Sequence, residues 1–120
     1  MLLFPLASES AIGGVRVSWS NGRTAELRES AMQKYRVASV PIIYPKEAQA
    51  KKLSGKGLFE AQIDKRGRVS AVRVRQSTGS KSLDQAAIRA VRKFRYKPGA
   101  FISVTEPATF HHFGDIKIRF

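Results

Sequence analysis

Cysteine is absent from the chain, and histidine and acidic residues are scarce. The 120 residues contain no Cys, two His and nine Asp or Glu. The lack of cysteine excludes disulfides, thiolate metal ligands and thiol nucleophiles. His111 and His112 are neighbours in an expected extended segment, where adjacent side chains point to opposite faces and do not share a metal ion. We therefore predict no metal site and no cofactor.

Enzyme motifs and long apolar runs are missing as well. The sequence contains no phosphate loop, no Gly-x-Ser-x-Gly elbow and no Ser/His/Asp set in a recognisable context. Each candidate carboxylate has a structural explanation, Asp64 in a turn, Asp84 in the first turn of a helix and Asp115 before a strand. No apolar run approaches the ~20 residues of a membrane-spanning helix. We expect a domain that is not an enzyme and does not cross a membrane.

Positive charge is abundant and unevenly distributed. Lys and Arg number 22, and the resulting net charge of +13 predicts attraction to polyanions. Residues 1–40 hold five basic and three acidic groups, whereas residues 41–120 hold 17 and six. This shift predicts a boundary near Pro41, with an N-terminal extension over residues 1–40 and a domain over residues 41–120.

The N-terminal extension shows one clear strand pattern. Residues 15–19 alternate apolar and polar side chains, and Asn21-Gly22 follows as a turn signal. A hairpin closed by a two-residue loop would place Ala25 and Leu27 on the face opposite Val17, so we predict a helix from about Thr24 to Lys34 instead. Residues 35–45 include two prolines and are predicted to be an extended lead-in.

From residue 46 onward the pattern predicts the order helix, strand, strand, helix, strand. The predicted elements are a helix from Lys46 to Leu53, strands from Lys56 to Asp64 and from Arg68 to Ser77, a helix opened by a Ser82–Gln85 capping box and ended by Pro98-Gly99, and a last strand from Asp115 to Phe120. Valines of mixed parity in the second strand predict a β-bulge close to its hairpin end. The stretch around Pro107 is predicted to be irregular.

Two features of residues 41–120 indicate binding. One is a set of basic residues on the second strand and around the end of the second helix, which favours a polyanion such as nucleic acid or a cell-wall polymer. The other is the last strand, whose open edge favours an extended peptide or the same strand of a second copy. Both features also have explanations that involve no binding. The basic residues would equally form a solvated surface of the domain, and Lys117 and Arg119 would protect the edge of the last strand from pairing. Aromatic side chains do not alternate with the charges, so we do not expect nucleic acid. The basic set is Arg73, Arg75, Arg89, Arg92, Lys93 and Arg95.

A series of short motifs between Val40 and Phe120 resembles one family, the C-terminal domain of TonB-type energy transducers. The motifs are, in order, Tyr44-Pro45-Lys46-Glu47-Ala48, Gly55, Ile63-Asp64, Gly67-Arg68-Val69, Val72-x-Val74, Ser77-Thr78-Gly79, Leu83-Asp84-x-Ala86-Ala87, Ala90-Val91-Arg92 and Phe94-Arg95-Tyr96-Lys97-Pro98. The chain departs from the family at Phe94, where a tryptophan is usual, and in a longer stretch between Pro98 and Ile116.

The resemblance implies an α+β domain in which two helices pack on a three-stranded antiparallel sheet, with residues 1–40 as an extension of uncertain structure. It also implies a periplasmic location, an outer-membrane receptor as the partner, and an inner-membrane motor that acts through an N-terminal anchor not found in this sequence. The receptor segment, or TonB box, is expected to add as a strand. The implied partner-binding residues are Tyr44, Pro45, Tyr96, Asp115, Ile116, Lys117, Ile118, Arg119 and Phe120.

Overall fold

Most of the strands belong to one antiparallel sheet with helices on one face. The computed structural model describes residues 14–111. The strands are β1 (Val15–Trp19), β2 (Thr24–Leu27), β3 (Arg36–Ala38), β4 (Gly55–Ile63), β5 (Val69–Gln76), β6 (Arg95–Tyr96) and β7 (Phe101–Phe110), and the helices are α1 (Glu29–Met32), α2 (Lys46–Ala50) and α3 (Lys81–Val91). The main sheet has the order β2-β1-β7-β4-β5, and β3 pairs with β6 in a separate two-stranded sheet.

Strand β7 lies at the centre of this sheet. The observed architecture differs from the predicted one in several respects. The sheet has five strands rather than three, and residues 14–111 contain three helices rather than two. The stretch around Pro107, predicted to be irregular, lies within β7. Proline is tolerated there because β7 pairs with β1 only up to Thr105, so that Pro107 lies beyond the two-sided part of the strand. The predicted strand from Asp115 to Phe120 lies outside the described residues.

The β1–β2 hairpin also differs from the prediction. Its loop is one residue longer than the two-residue loop considered for the sequence: the amide of Trp19 donates to the Arg23 carbonyl at 2.7 Å, and Gly22 has a φ of +90°. The added residue shifts the register so that Val17 faces Ala25 on one side of the sheet. The helix predicted from Thr24 is wrong over β2, and α1 spans only Glu29–Met32.

Helix α3 covers β4, β5 and β7, and its apolar stripe contributes four of the nine buried residues of one core cluster. Leu83, Ala87 and Val91 are buried as the periodicity predicts. The helix is capped by Ser80, whose side chain accepts from the amide of Leu83, and not by the predicted Ser82. The β4–β5 hairpin is confirmed, and so is a register shift close to its loop, between Gln62 and Ile63.

The Asp84 carboxylate ties the start of α3 to the end of β5. It accepts hydrogen bonds from the Ser77 hydroxyl at 2.5 Å, the Thr78 amide at 2.8 Å and the Thr78 hydroxyl at 2.7 Å. Burial by itself would raise the pKa of Asp84, but these hydrogen bonds outweigh it and leave the pKa below its ordinary value of 3.8. The Ser77-Thr78-Gly79 motif and Asp84 therefore form one structural unit.

Because the pKa of Asp84 is lowered by folding, its stabilising effect is complete above the ordinary value of 3.8 and is lost as the pH falls through the lower folded value. We expect Asp84→Asn to destabilise the chain near neutral pH. The difference from the original chain should shrink as the pH falls below that range. Urea unfolding at a series of pH values checks this, and a difference independent of pH would contradict it.

Glycine is required at position 67 for two reasons. Gly67 closes the β4–β5 loop at a φ of +85°, and a Cβ placed there would lie 1.9 Å from the Tyr96 carbonyl oxygen. Gly22 has a similar φ of +90° but has nothing within 4 Å of an added Cβ. The two positions therefore separate backbone strain from steric overlap.

Gly22→Ala should cost only the left-handed backbone strain, about 1–2 kcal/mol. Gly67→Ala should cost clearly more, because β6 must also move away from the loop. Thermal or urea unfolding of both variants measures the two costs, and equal costs would show that the close approach of Tyr96 is unimportant.

Candidate functional site

The two edges of β7 are covered to different extents. On one side β7 pairs with β4 over most of its length, from Gln62↔Ser103 to Gly55↔Phe110. On the other side it pairs with β1 only over its first half, from Trp19↔Phe101 to Arg16↔Thr105. No strand within residues 14–111 pairs with Glu106–Phe110 on this second side. We call this five-residue backbone edge the half-edge.

A cleft of about 550 Å³ lies beside the half-edge, on the sheet face that the helices do not cover. Its lining side chains alternate with the buried residues of the same strands, such as Val17 and Phe59. Arg16 pairs with Glu26 at 3.9 Å and Arg75 pairs with Glu60 at 3.6 Å, whereas Lys56 forms no ion pair with any described residue. The lining residues are Gly14, Arg16, Glu26, Lys56, Leu58, Glu60, Arg75, Gln76, Thr105 and Pro107.

The β1–β2 hairpin that covers the first half of β7 is part of the core. Val15 and Val17 are 0% and 1% exposed, and they pack in a cluster that includes Tyr96, Phe101 and Val104. Complete burial of an aliphatic side chain contributes about 1.5–3 kcal/mol, so these two valines together contribute about 3–6 kcal/mol. A domain of this size is stable by only about 5–15 kcal/mol. Removal of the hairpin from β7 would therefore consume much of the stability of the fold.

A buried ion pair holds the core side of the half-edge. The Glu106 carboxylate, on β7, accepts from Arg36 Nε at 2.9 Å and from Arg36 Nη2 at 2.7 Å, and also from the Tyr96 hydroxyl. The Arg36 guanidinium also pairs with the exposed Glu29. Glu106 and Arg36 side chains are only 5% and 11% exposed. Sequence reasoning missed this site because the partners are 70 positions apart and no local motif joins them.

The ion pair shifts the pKa values of its neighbours. Burial raises the pKa of Tyr96 well above its ordinary value, and the negative charge and hydrogen bond of Glu106 raise it further. Burial by itself would lower the pKa of Arg36, but the hydrogen bonds and charges of Glu106 and Glu29 outweigh it and raise the pKa. Both shifts favour the protonated forms, the neutral Tyr96 hydroxyl and the charged Arg36 guanidinium.

Three of the nine predicted partner-binding residues lie within residues 14–111, and each has a role within the fold. Tyr44 is half-buried beside Phe110, at 5.7 Å between ring centroids, and its hydroxyl donates to the Leu53 carbonyl. Pro45 occupies the N-cap position of α2. Tyr96 is 1% exposed and binds Glu106. The other six, Asp115 to Phe120, lie outside the described residues.

The predicted basic set is divided between separate surfaces. Arg73 and Arg75 are exposed on β5, at one end of the sheet order. Arg89 and Lys93 line a cleft of about 310 Å³ together with Val40, Pro41, Ile43, Pro45, Ala86 and Ala90, and this cleft shares no residue with the one beside the half-edge. Arg92 and Arg95 are exposed near the end of α3, and Arg95 donates to the Phe94 carbonyl.

Neither a metal cluster nor a spanning helix is found in the described part of the chain. Residues 14–111 contain no group of three or more His, Cys, Asp or Glu side chains arranged to hold a metal ion. None of the helices in the same range is long and apolar enough to cross a membrane.

Comparison with known proteins identifies the family. The family model described as "Gram-negative bacterial TonB protein C-terminal" matches residues 40–120, about two thirds of the chain. The chain belongs to the TonB C-terminal domain family. The solution NMR structure of the Pseudomonas aeruginosa TonB C-terminal domain is similar, with a TM-score of 0.53 and 23% identity over 69% of this chain and 88% of that chain. That likeness shows a shared mixed α/β fold. No curated protein matches the chain.

Membership in the TonB family assigns a general role. TonB C-terminal domains are periplasmic parts of Gram-negative envelope proteins, and they serve transport as interaction domains rather than as enzymes. The family is associated with energy transducers and with TonB-dependent outer-membrane receptors. Residues 15–27, which precede the matched region, form the hairpin that extends the TonB-type sheet beyond β7.

Removal of Arg36 should be strongly destabilising, because it leaves the buried Glu106 carboxylate without its counter-charge. We expect Arg36→Met to lower the free energy of unfolding by about 3–5 kcal/mol. The matched control is Arg75→Met, which breaks the exposed pair with Glu60 and should cost less than about 1 kcal/mol.

The double variant Arg36→Met/Glu106→Leu tests the cause of this loss, because it removes both charges together. It should lose much less than the sum of the two single variants. Urea unfolding of the full set gives the coupling energy. Equal costs for Arg36→Met and Arg75→Met would contradict the central role of the buried pair.

Proposed function

We propose that this domain binds an extended segment of an outer-membrane receptor by β-strand addition. In the complete system this contact would couple an inner-membrane motor to transport through the receptor. Strand addition uses main-chain hydrogen bonds for affinity and alternate side chains for selectivity, and it requires a strand edge without an internal partner. The half-edge of β7 supports the proposal, because it belongs to the central strand of a TonB-type sheet and no strand within residues 14–111 pairs with its β1 side.

The sequence prediction for the acceptor remains part of the proposal. Asp115 to Phe120 would form the accepting edge, with Tyr44 and Pro45 in the approach segment and Tyr96 beside the helix end. Tyr44 stacks near Phe110, the last residue of the half-edge, so an approach along residues 44–45 leads to the half-edge as well. Exchange of a strand between two copies uses the same kind of free edge and is the main competing outcome.

The direct experiment is a titration of the chain with synthetic N-terminal segments of TonB-dependent receptors, followed by calorimetry. We expect saturable binding that survives salt up to about 0.3 M, because main-chain pairing is screened much less than a charge contact. Affinity that falls steeply with salt would contradict strand addition and would favour a domain that binds polyanions through its basic residues. Charge reversal at Arg89, Arg92 and Lys93 would then abolish the binding.

Backbone methylation of the peptide provides a control that leaves the protein unchanged. In an added strand, alternate residues direct their amides to the neighbouring strand and to solvent. Methylation of one alternate set of amides should abolish binding, whereas methylation of the other set should preserve it. Equal tolerance of both sets would exclude pairing through the peptide backbone, and light scattering at each titration point would reveal strand exchange between copies.

A further inference from the structure

The segment between β3 and α2 alternates its side chains between the core and solvent. Val40, Ile42 and Tyr44 are half-buried and pack against the two core clusters, whereas Pro41 and Ile43 between them are exposed. Ile43 is 76% exposed, the highest value among the large hydrophobic residues that the structure describes. One set of side chains therefore anchors the segment, and the other set is presented to solvent.

This segment and helix α3 enclose the cleft of about 310 Å³ described above, which we call the α3 cleft. Its volume is at the small end of the range of about 300–1,000 Å³ that is usual for ligand sites. Among the described residues, no side chain with a carboxylate, hydroxyl or amide group lines it. The lining consists of two cations, Arg89 and Lys93, and of the apolar residues Val40, Pro41, Ile43, Pro45, Ala86 and Ala90.

The two cations lie four positions apart at the end of α3. The amide of Lys93 donates to the Ala90 carbonyl at 3.0 Å, so the helical turn continues beyond Val91 and brings both cationic side chains to one cleft. Neither Arg89 nor Lys93 forms an ion pair with any residue in the range 14–111. The end of a helix carries about half a negative charge, which two full positive charges outweigh. The α3 cleft is therefore electropositive.

This combination of groups matches an anionic lipid better than a protein or a nucleic acid. Protein interfaces rely on aromatic anchors and single-stranded nucleic acid stacks on aromatic rings, but no lining residue of the α3 cleft is aromatic. A second copy of this cleft would bring like charges together. A phospholipid offers a phosphate for the cations and aliphatic chains for the apolar side chains, the pairing that peripheral membrane surfaces use.

We propose that the α3 cleft docks the domain on the surface of an anionic phospholipid bilayer. The phosphate of one lipid lies between Arg89 and Lys93, and Ile43 enters the boundary between headgroups and acyl chains. Burial of one isoleucine side chain corresponds to about tenfold in affinity, and each cation near an anionic surface to about fivefold. This contact is separate from strand addition at β7 and does not depend on it.

Co-sedimentation of the chain with vesicles tests the proposal. We expect saturable binding to vesicles of equal parts phosphatidylglycerol and phosphatidylcholine, and none to vesicles of phosphatidylcholine alone. Ile43→Ser should weaken binding to the anionic vesicles by about tenfold. The matched control is Val37→Ser, which changes a side chain that is 68% exposed outside the cleft and should stay within about twofold. Absence of binding to the anionic vesicles, or equal losses for the two variants, would overturn the proposal.

A pair of double variants tests the cations. Arg89→Gln/Lys93→Gln should weaken binding to the anionic vesicles by about twenty-five-fold, the product of two fivefold losses. The control Arg66→Gln/Arg73→Gln makes the same change in net charge at two exposed residues of the β4–β5 hairpin, and should lose no more than about threefold. Equal losses would show that only the net charge of the chain attracts the vesicles, and would overturn the role of the cleft.

A fluorescent label reports insertion and separates a lipid from the other occupants. Because the chain has no cysteine, Ile43→Cys introduces a single thiol for an environment-sensitive fluorophore. Its emission should rise with anionic vesicles and stay unchanged with inorganic phosphate, and a label on Val37→Cys should respond to neither. An unchanged emission from the Ile43→Cys label in bound protein would contradict insertion. If Ile43→Ser leaves vesicle binding intact but weakens a receptor peptide or self-association measured by light scattering, the cleft binds a protein and the lipid assignment is wrong.

Discussion

The incomplete cover of β7 by its two neighbours is the constraint on which the rest of the structure depends. Strand β4 pairs with Ser103–Phe110, so the half-edge is held in the sheet although no strand within residues 14–111 pairs with its other side. Strand β1 covers the other half and closes the second core cluster. Beyond Thr105, no strand within residues 14–111 pairs with β7 on the β1 side.

The buried Arg36–Glu106 pair stabilises the half-edge from the core side. Glu106 is the first residue of the half-edge, and its carboxylate is held by groups from β3 and β6. A buried carboxylate is costly unless it is paired and hydrogen-bonded, and here Arg36 and Tyr96 supply both kinds of partner. The two-stranded sheet β3–β6 is thereby joined to the main sheet.

Periodicity predicted the elements whose side chains alternate without interruption. Strand β4 and the stripe of α3 follow directly from the sequence pattern, and in β5 the interrupted alternation itself indicated the bulge. Strand β7 does not follow from the pattern, for three physical reasons. A bulge at Ile102 switches the parity between Phe101 and Val104, a charged Glu106 takes a core position, and Pro107 resembles a strand breaker. Each of these features is explained only by a neighbour distant in sequence.

The site was less predictable than the fold. Family motifs led to Tyr44 and Tyr96, and the structure shows that both make buried or half-buried contacts next to β7. The half-edge itself could not be predicted, because it depends on how far β1 extends along β7. The three-residue loop of the N-terminal hairpin was missed as well, and a two-residue loop would have reversed the faces of β2.

Hydrogen exchange of backbone amides tests the central claim most directly. On addition of a receptor peptide, the amides of the half-edge that are directed away from β4 should gain protection, whereas the amides already bonded to β4 keep the protection they had. Gain of protection along β5 alone, with none at the β7 edge or in residues 115–120, would contradict the proposed strand addition.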